Sequence, residues 1–269
     1  MRPIEECRLS ILDRGLLFGE SIYEVLPVVA GRVLFVEQHG DRMRTGAAAL
    51  SLAHAVPSDA ALSSLGLGLL AAESLDEGTL YLQVTGGAGP RAMVPALGPS
   101  AAEFFAFVQP LTLPRHAVTA TVATARDPRW VRCELKTTML LPAVLARRSA
   151  GPVDEVVFFD DDGLLTEGGS SCVFIVEDGR VVMPPLSPRI LPSVTRGLLG
   201  MEAAEVSITV ETSPVSRVRL LAADEVGLAS TTKLVMPVAT LDGQTVASSR
   251  DGMCTRLAAL LRARYGLED

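Results

Sequence analysis

A chain of 269 residues with 48% hydrophobic and 20% charged positions is long enough for one large or two modest domains. Only 4% of the positions are aromatic, so the core must be built from Leu, Val and Ala. A formal net charge of −7 argues against a nucleic-acid surface, which needs a basic stripe, and no uninterrupted apolar run approaches the roughly 18–20 residues of a membrane span. The N-terminal stretch M-R-P-I-E-E-C-R has acidic residues and no apolar h-region, so no signal peptide is expected. Cys7, Cys133, Cys172 and Cys254 are dispersed without a C-x-x-C pair, and His39, His54 and His116 are equally scattered. This pattern predicts no metal site and free thiols in a reducing cytoplasm. Difficult chemistry then falls to an organic cofactor.

In chain order, residues 8–22 set Gly15 and Gly19 in an apolar frame. Tyr23–Val29 and Arg32–Phe35 read as strands around a turn at Ala30 and Gly31. Val36–Leu52 reads as a helix with Met43, Ala47 and Leu50 on its apolar face. Its charges at Asp41, Arg42 and Arg44 suit a solvated face. Pro57–Leu75 is a second helix, with Ser58 or Asp59 as N-cap. Thr79–Thr85 alternates as a strand. The loop G-G-A-G-P-R (86–91) does not precede a helix in the register of a phosphate-binding fingerprint.

Glu103–Val108 closes the first half. The stretch Q-P-L-T-L-P-R-H (109–116), with two prolines and little apolar pattern, reads as a linker. The expected division is residues 1–109, a linker at 110–117, and a second domain at 118–269. In the second half Val118–Ala123, Glu155–Phe159 and Cys172–Val176 read as strands and Leu140–Ser149 as a helix. D-D-D-G (160–163) lacks the later ligands of a calcium loop and reads as a turn. Pro192–Leu199 starts a helix that Ser193 or Thr195 can cap, and such an N-terminus is also a ready anion site. Ser230, Thr231 and Thr232 follow a strand, as either a turn or an anion cradle. Met253–Leu267 reads as a terminal amphipathic helix.

Within R-W-V-R-C-E-L-K-T-T-M-L-L-P-A-V-L-A-R-R (129–148), Lys136 is singular. Of 24 Lys and Arg, only Lys136 and Lys233 are lysines. Arg stays charged, whereas a Lys in apolar surroundings can give up its proton and attack a carbonyl carbon. A lysine at a strand end is the other reading of the position.

Six stretches taken in order resemble the fold-type IV pyridoxal-phosphate enzymes, a group including D-amino-acid transaminases, branched-chain aminotransferases and aminodeoxychorismate lyases. They are D-R-G-L-L-F-G-E-S-I-Y-E-V (13–25), E-Q-H-G-D-R-M-R (37–44), R-W-V-R-C-E-L-K-T-T-M-L-L-P-A-V-L-A (129–146), L-T-E-G-G-S-S-C-V-F (165–174), I-L-P-S-V-T-R (190–196) and A-S-T-T-K-L-V-M-P-V (229–238). The resemblance runs nearly end to end and is nearest to the D-amino-acid transaminase branch.

It implies an α/β fold of mixed sheets in two domains with pyridoxal 5′-phosphate between them. Lys136 would form the Schiff base and carry the 1,3-proton transfer, while Glu167 would pair with the pyridine nitrogen. Arg42 would bind the phosphate together with Val194, Thr195, Ser230 and Thr231. Tyr23 and Arg91 would contact substrate. The implied reaction moves the amino group of a D-amino acid to an α-keto acid. A lyase of the aminodeoxychorismate type and an (R)-selective amine transaminase are the alternatives, and a cofactor-binding protein without turnover is a third. Three positions depart from the family pattern: Met93 stands for the His of R-x-H, Met139 for the Asn of K-x-x-N, and Cys172 for the Asn before V-F. A cytoplasmic homodimer is implied.

Overall fold

The computed structural model describes residues 3–94, 101–246 and 252–267. The chain divides into two compact units: Met1–Leu113 with Leu135–Met139, and Pro114–Glu134 with Leu140–Asp269.

The first unit is an antiparallel sheet of β1 (Ser21–Val29), β2 (Arg32–Val33), β3 (Gly78–Thr85) and β4 (Glu103–Pro110) in the order β2-β1-β3-β4. A short helix α1 (Arg14–Phe18) precedes it, and α2 (Val36–Ala49) and α3 (Asp59–Glu73) intervene between β2 and β3. Ser58 accepts the Ala61 N–H at the start of α3, as its hydroxyl predicts.

The period of two in β1 decides what each face does. Ile22, Leu26 and Val28 point into a core with Leu80, Leu82 and Val84 of β3, Met43 and Ala47 of α2, and Leu62 and Leu70 of α3. Truncating such a Leu to Ala costs about 2–5 kcal/mol. The opposite face carries Tyr23, whose ring stacks on Tyr81 at 5.6 Å; Tyr81 stacks in turn on Phe107 at 4.7 Å.

Lys136, expected in the second domain, belongs with the first unit. The Tyr23 N–H donates to the Lys136 carbonyl at 3.0 Å, Ile22 bridges Thr137, and Leu135 is buried in the first core. Leu113, expected in the linker, is fully buried in the first unit, where its N–H donates to Glu77 at 2.6 Å.

The second unit holds β5 (Ala120–Arg126), β6 (Glu155–Phe159), β7 (Leu165–Gly168), β8 (Cys172–Glu177), β9 (Arg180–Met183), β10 (Val210–Thr212), β11 (Glu225–Ser230), β12 (Leu234–Leu241) and β13 (Gln244–Thr245). Their order is β10-β9-β8-β11-β12-β5-β6-β7, with β13 beside β12. The β10–β9, β12–β5 and β5–β6 pairs are parallel and the rest antiparallel, so the sheet is mixed. Both faces of β6 are buried, which is why residues 156–159 read as an unbroken apolar run rather than an alternation.

Among the described residues four helices complete the unit: α4 (Leu141–Ala150), α5 (Val194–Glu205), α6 (Arg217–Ala222) and α7 (Met253–Tyr265). No described helix is long and apolar enough to cross a membrane.

Candidate active site

In the first unit, residues 135–139 run antiparallel to the start of β1, with Thr137 opposite Ile22. That register sets Lys136 opposite Tyr23 and Thr138 opposite Ser21, with each pair on one face. The side chains agree: Ser21 Oγ lies 2.6 Å from Thr138 Oγ1, and Lys136 Nζ lies 3.4 Å from the Tyr23 hydroxyl. The amine sits 4.4 Å from the Tyr23 ring centroid, a cation–π distance. Lys136 is half-buried. Its amine is therefore restrained by an aromatic surface rather than enclosed in the apolar pocket its flanks suggest. Met139 explains a neighbouring constraint, since a Cβ at Gly19 would stand 2.6 Å from its Cγ.

On the other face of β1, Glu24 lies fully buried among apolar side chains, an arrangement that needs partners. Helix α2 supplies them. Arg42 donates from Nε and Nη2 to the two carboxylate oxygens, both at 2.7 Å, and His39 Nδ1 lies 2.6 Å from one of them. Burial pushes the Glu24 carboxyl up, but the charges and hydrogen bonds of Arg42 and His39 outweigh it and hold the group at about 2. Burial also holds His39 below its ordinary value despite Glu24, so the neutral ring donates its Nδ1–H. Arg42, expected as a phosphate ligand, is thus oriented as a bidentate fork by Glu24.

Because the Glu24 carboxyl is depressed from 4.5 to about 2, it lends stability above pH 4.5 that is lost as pH falls to about 2. Glu24→Gln is expected to lower stability at pH 7 by on the order of 3 kcal/mol. The gap from wild type should narrow in urea melts at pH 3.

In the second unit, Glu167 sits on β7, nearly buried. One carboxylate oxygen pairs with Arg129 Nη1, and the other accepts the Leu191 N–H at 3.1 Å. Arg129 is itself held on all sides. It donates from Nε and Nη2 to Asp127 at 2.9 and 2.8 Å and to the Arg189 carbonyl at 3.1 Å, and lies 5.1 Å over the Phe158 ring. Thr166 Oγ1 donates to Asp127 at 3.0 Å. Burial opposes the Arg129 charge, yet Asp127 and Glu167 more than offset it and raise its proton affinity further. Arg129 lies in a stretch the sequence marks, but as one of many arginines it carries no local sign of this role. Glu24 is equally unmarked.

The turn after β7 is fixed by Glu155, which accepts from Ser170 N, Ser170 Oγ and Ser171 Oγ at 3.1, 2.6 and 3.0 Å. Ser193 caps α5 by accepting the Arg196 N–H at 3.2 Å. The amides of Val194 and Thr195 fall in the first turn, where a helix offers them no carbonyl. Thr195 is buried, and its hydroxyl pairs with Tyr265 of α7. Ser230 ends β11 and accepts the Lys233 N–H at 3.3 Å. Cys172 is buried, with Sγ 3.4 Å from the Ala229 carbonyl, and burial pushes its thiol up to about 11. A neutral thiol donates weakly where an Asn amide would donate strongly.

Each unit by itself offers groups that fit a small cofactor with a phosphate and a ring nitrogen. The helix-start amides of the second unit suit a dianionic phosphate and its buried carboxylate a protonated ring nitrogen, while the first unit offers an oriented guanidinium and an amine able to attack a carbonyl carbon.

Residues 21–241 match the family model described as amino-transferase class IV. The chain is 34% identical over 255 residues to a D-alanine aminotransferase of Bacillus licheniformis, covering 93% of this chain and 89% of that one. Its fold matches the Thermobaculum terrenum branched-chain amino acid aminotransferase with a TM-score of 0.87 at 18% identity, over 99% of this chain and 92% of the other. It also matches a Legionella pneumophila structure named for 4-amino-4-deoxychorismate lyase, with a TM-score of 0.84 at 20% identity over 98% and 97%. The mixed α/β architecture, the amine at Lys136 and a family match spanning both units lead to one assignment: the chain belongs to the amino-transferase class IV family, whose members depend on pyridoxal phosphate.

Proposed function

We propose that this aminotransferase binds pyridoxal 5′-phosphate and moves the amino group of a D-amino acid to an α-keto acid. The observation that carries the reading is the presence in one chain of Lys136, its amine over the Tyr23 ring, and of Glu167, a buried carboxylate paired with Arg129. The D-amino acid follows from the likeness to the D-alanine aminotransferase and from Arg91, a cation in the register of a carboxylate anchor.

When bound, the cofactor supplies an electrophilic carbon and a ring that withdraws electrons. The protein does the rest. Lys136 Nζ takes the proton from the donor α-carbon and holds it for return. The Tyr23 ring limits where that amine can travel. Glu167 places a negative charge that favours a proton on a ring nitrogen facing it. The Val194 and Thr195 amides, Arg42, Ser230 and Thr231 would hold the phosphate.

The test mixes the protein with D-alanine and 2-oxoglutarate. Transamination yields pyruvate and D-glutamate in equal amounts. Pyruvate formed over many turnovers without the keto acid, beyond the single equivalent that the bound cofactor can accept, or formed only from L-alanine, overturns the reading.

The protein is further read as a cytoplasmic homodimer. Helix α4 has no buried residue and exposes Leu141, Val144 and Leu145, an apolar face suited to a second copy of the chain. Leu145→Glu is expected to weaken that association at least about tenfold. Sedimentation velocity at micromolar protein checks it, and an unchanged dimer would exclude this face.

A further inference from the structure

Arg14 is a buried arginine outside the groups assigned so far, only 5% exposed. It opens α1, and every arm of its guanidinium is used. Nε donates to Glu20 at 2.6 Å, Nη1 to the Ala92 carbonyl at 2.7 Å and Nη2 to the Met93 carbonyl at 3.2 Å. The group lies 4.7 Å over the Phe18 ring, and the Arg91 guanidinium lies 5.5 Å from the same ring.

The base of the loop is pinned as well. The Arg14 N–H donates to the Gly87 carbonyl at 2.9 Å, Asp13 pairs with Thr85 at 2.7 Å, and a Cβ at Gly87 would stand 1.4 Å from the Ala101 carbonyl. Sequence-distant contacts thus hold two successive carbonyls directly after Arg91, while Glu20 neutralises the charge of Arg14. Arg91 keeps a cation at the loop surface on a ring whose other guanidinium is already paired.

We propose that Arg14 is a positioning residue: it fixes the loop of Arg91, Ala92 and Met93 so that Arg91 is presented to the substrate carboxylate. The proposal rests on the transaminase reading, in which Arg91 is that anchor. Its placement carries more weight here because Met93 adds no second donor. A planar fork is what two adjacent carbonyls require, so lysine cannot substitute.

The experiment compares wild type with Arg14→Gln, Arg14→Lys and Phe18→Leu. It measures steady-state constants for D-alanine and 2-oxoglutarate, and tryptic cleavage of the folded protein after Arg91, read by mass spectrometry. In Arg14→Gln the KM for both carboxylates is expected to rise about tenfold with kcat within about threefold, a positioning signature. Cleavage between Arg91 and Ala92 should quicken by about the same factor as the loop opens. Arg14→Lys should behave like Arg14→Gln, and Phe18→Leu should show a smaller rise in both readouts. Should the Arg14 variants fail to fold, Phe18→Leu carries the test alone.

Faster cleavage with unchanged KM overturns the positioning role. Unchanged cleavage overturns the brace itself. A wild-type protein that transaminates no amino acid overturns the reading of Arg91, while the cleavage arm still reports on the loop.

Discussion

A Lys136→Ala variant will lose turnover of D-alanine and 2-oxoglutarate by on the order of 10⁴-fold, because the nucleophile and the proton carrier are the same atom. The absorbance band that the wild type gains on binding pyridoxal phosphate will be missing as well. Retention of the cofactor, measured by equilibrium dialysis, should fall only in part, since the phosphate ligands are other residues. The chain supplies its own control. Lys233 is its other lysine, and its Nζ meets the Asp154 carbonyl at 3.4 Å in the second unit. Lys233→Ala should keep turnover within about twofold of wild type. If Lys136→Ala retains full turnover, or if Lys233→Ala is the variant that fails, the assignment of the nucleophile is wrong.

What made Lys136 legible was composition and local order: a rare residue type inside a stretch that resembles a family. The same holds for the strand β1, whose alternation already separates Tyr23 from Glu24. The cap of α5 was half legible, since two hydroxyls were available and only the backbone conformation decides between them. Ser193 takes the cap because its extended backbone immediately precedes the helix, while Thr195 already lies inside the first turn. Contacts of long range left no trace in the sequence. Residues 135–139 lie against a strand more than a hundred positions earlier, so a reading by order along the chain assigns them to the wrong neighbours. Arg129 meets Glu167 across 38 residues, and nothing near either one announces the other. Arg14 likewise reaches Ala92 and Met93 across 78 and 79 residues. Pattern reveals which face a side chain takes, whereas the pairing of charges depends on topology.

That pairing carries the second large prediction. Arg129 stands between two nearly buried carboxylates, Asp127 and Glu167, and Arg129→Gln removes the cation from both. Breaking such a buried pair costs about 3–5 kcal/mol, because uncompensated charge is left behind. The pH dependence should change sign as well. In the wild type, burial pushes the Asp127 carboxyl up, but the hydrogen bonds and charge of Arg129 hold it below its ordinary 3.8. The stability it lends is therefore present above pH 3.8 and lost only in acid. Without the Arg129 guanidinium, the neutral hydrogen bonds from Thr166 and Leu191 remain but no longer balance burial and the repulsion of two carboxylates, so one of them keeps its proton above the ordinary range. Folding then binds a proton that the unfolded chain has released, and stability falls as pH rises through about 5 to 8, by up to about 1.4 kcal/mol per unit. Melting temperatures at pH 5 and pH 8 separate the two cases: nearly level for wild type, lower at pH 8 for the variant. Turnover should fall about 10²-fold, because the Glu167 carboxylate loses the guanidinium that holds and orients it. Arg129→Lys, which keeps a charge but not the fork, should fall between. Parallel pH slopes for wild type and Arg129→Gln would show that Asp127 and Glu167 find their compensation elsewhere, and Arg129 would then lose its place in the site.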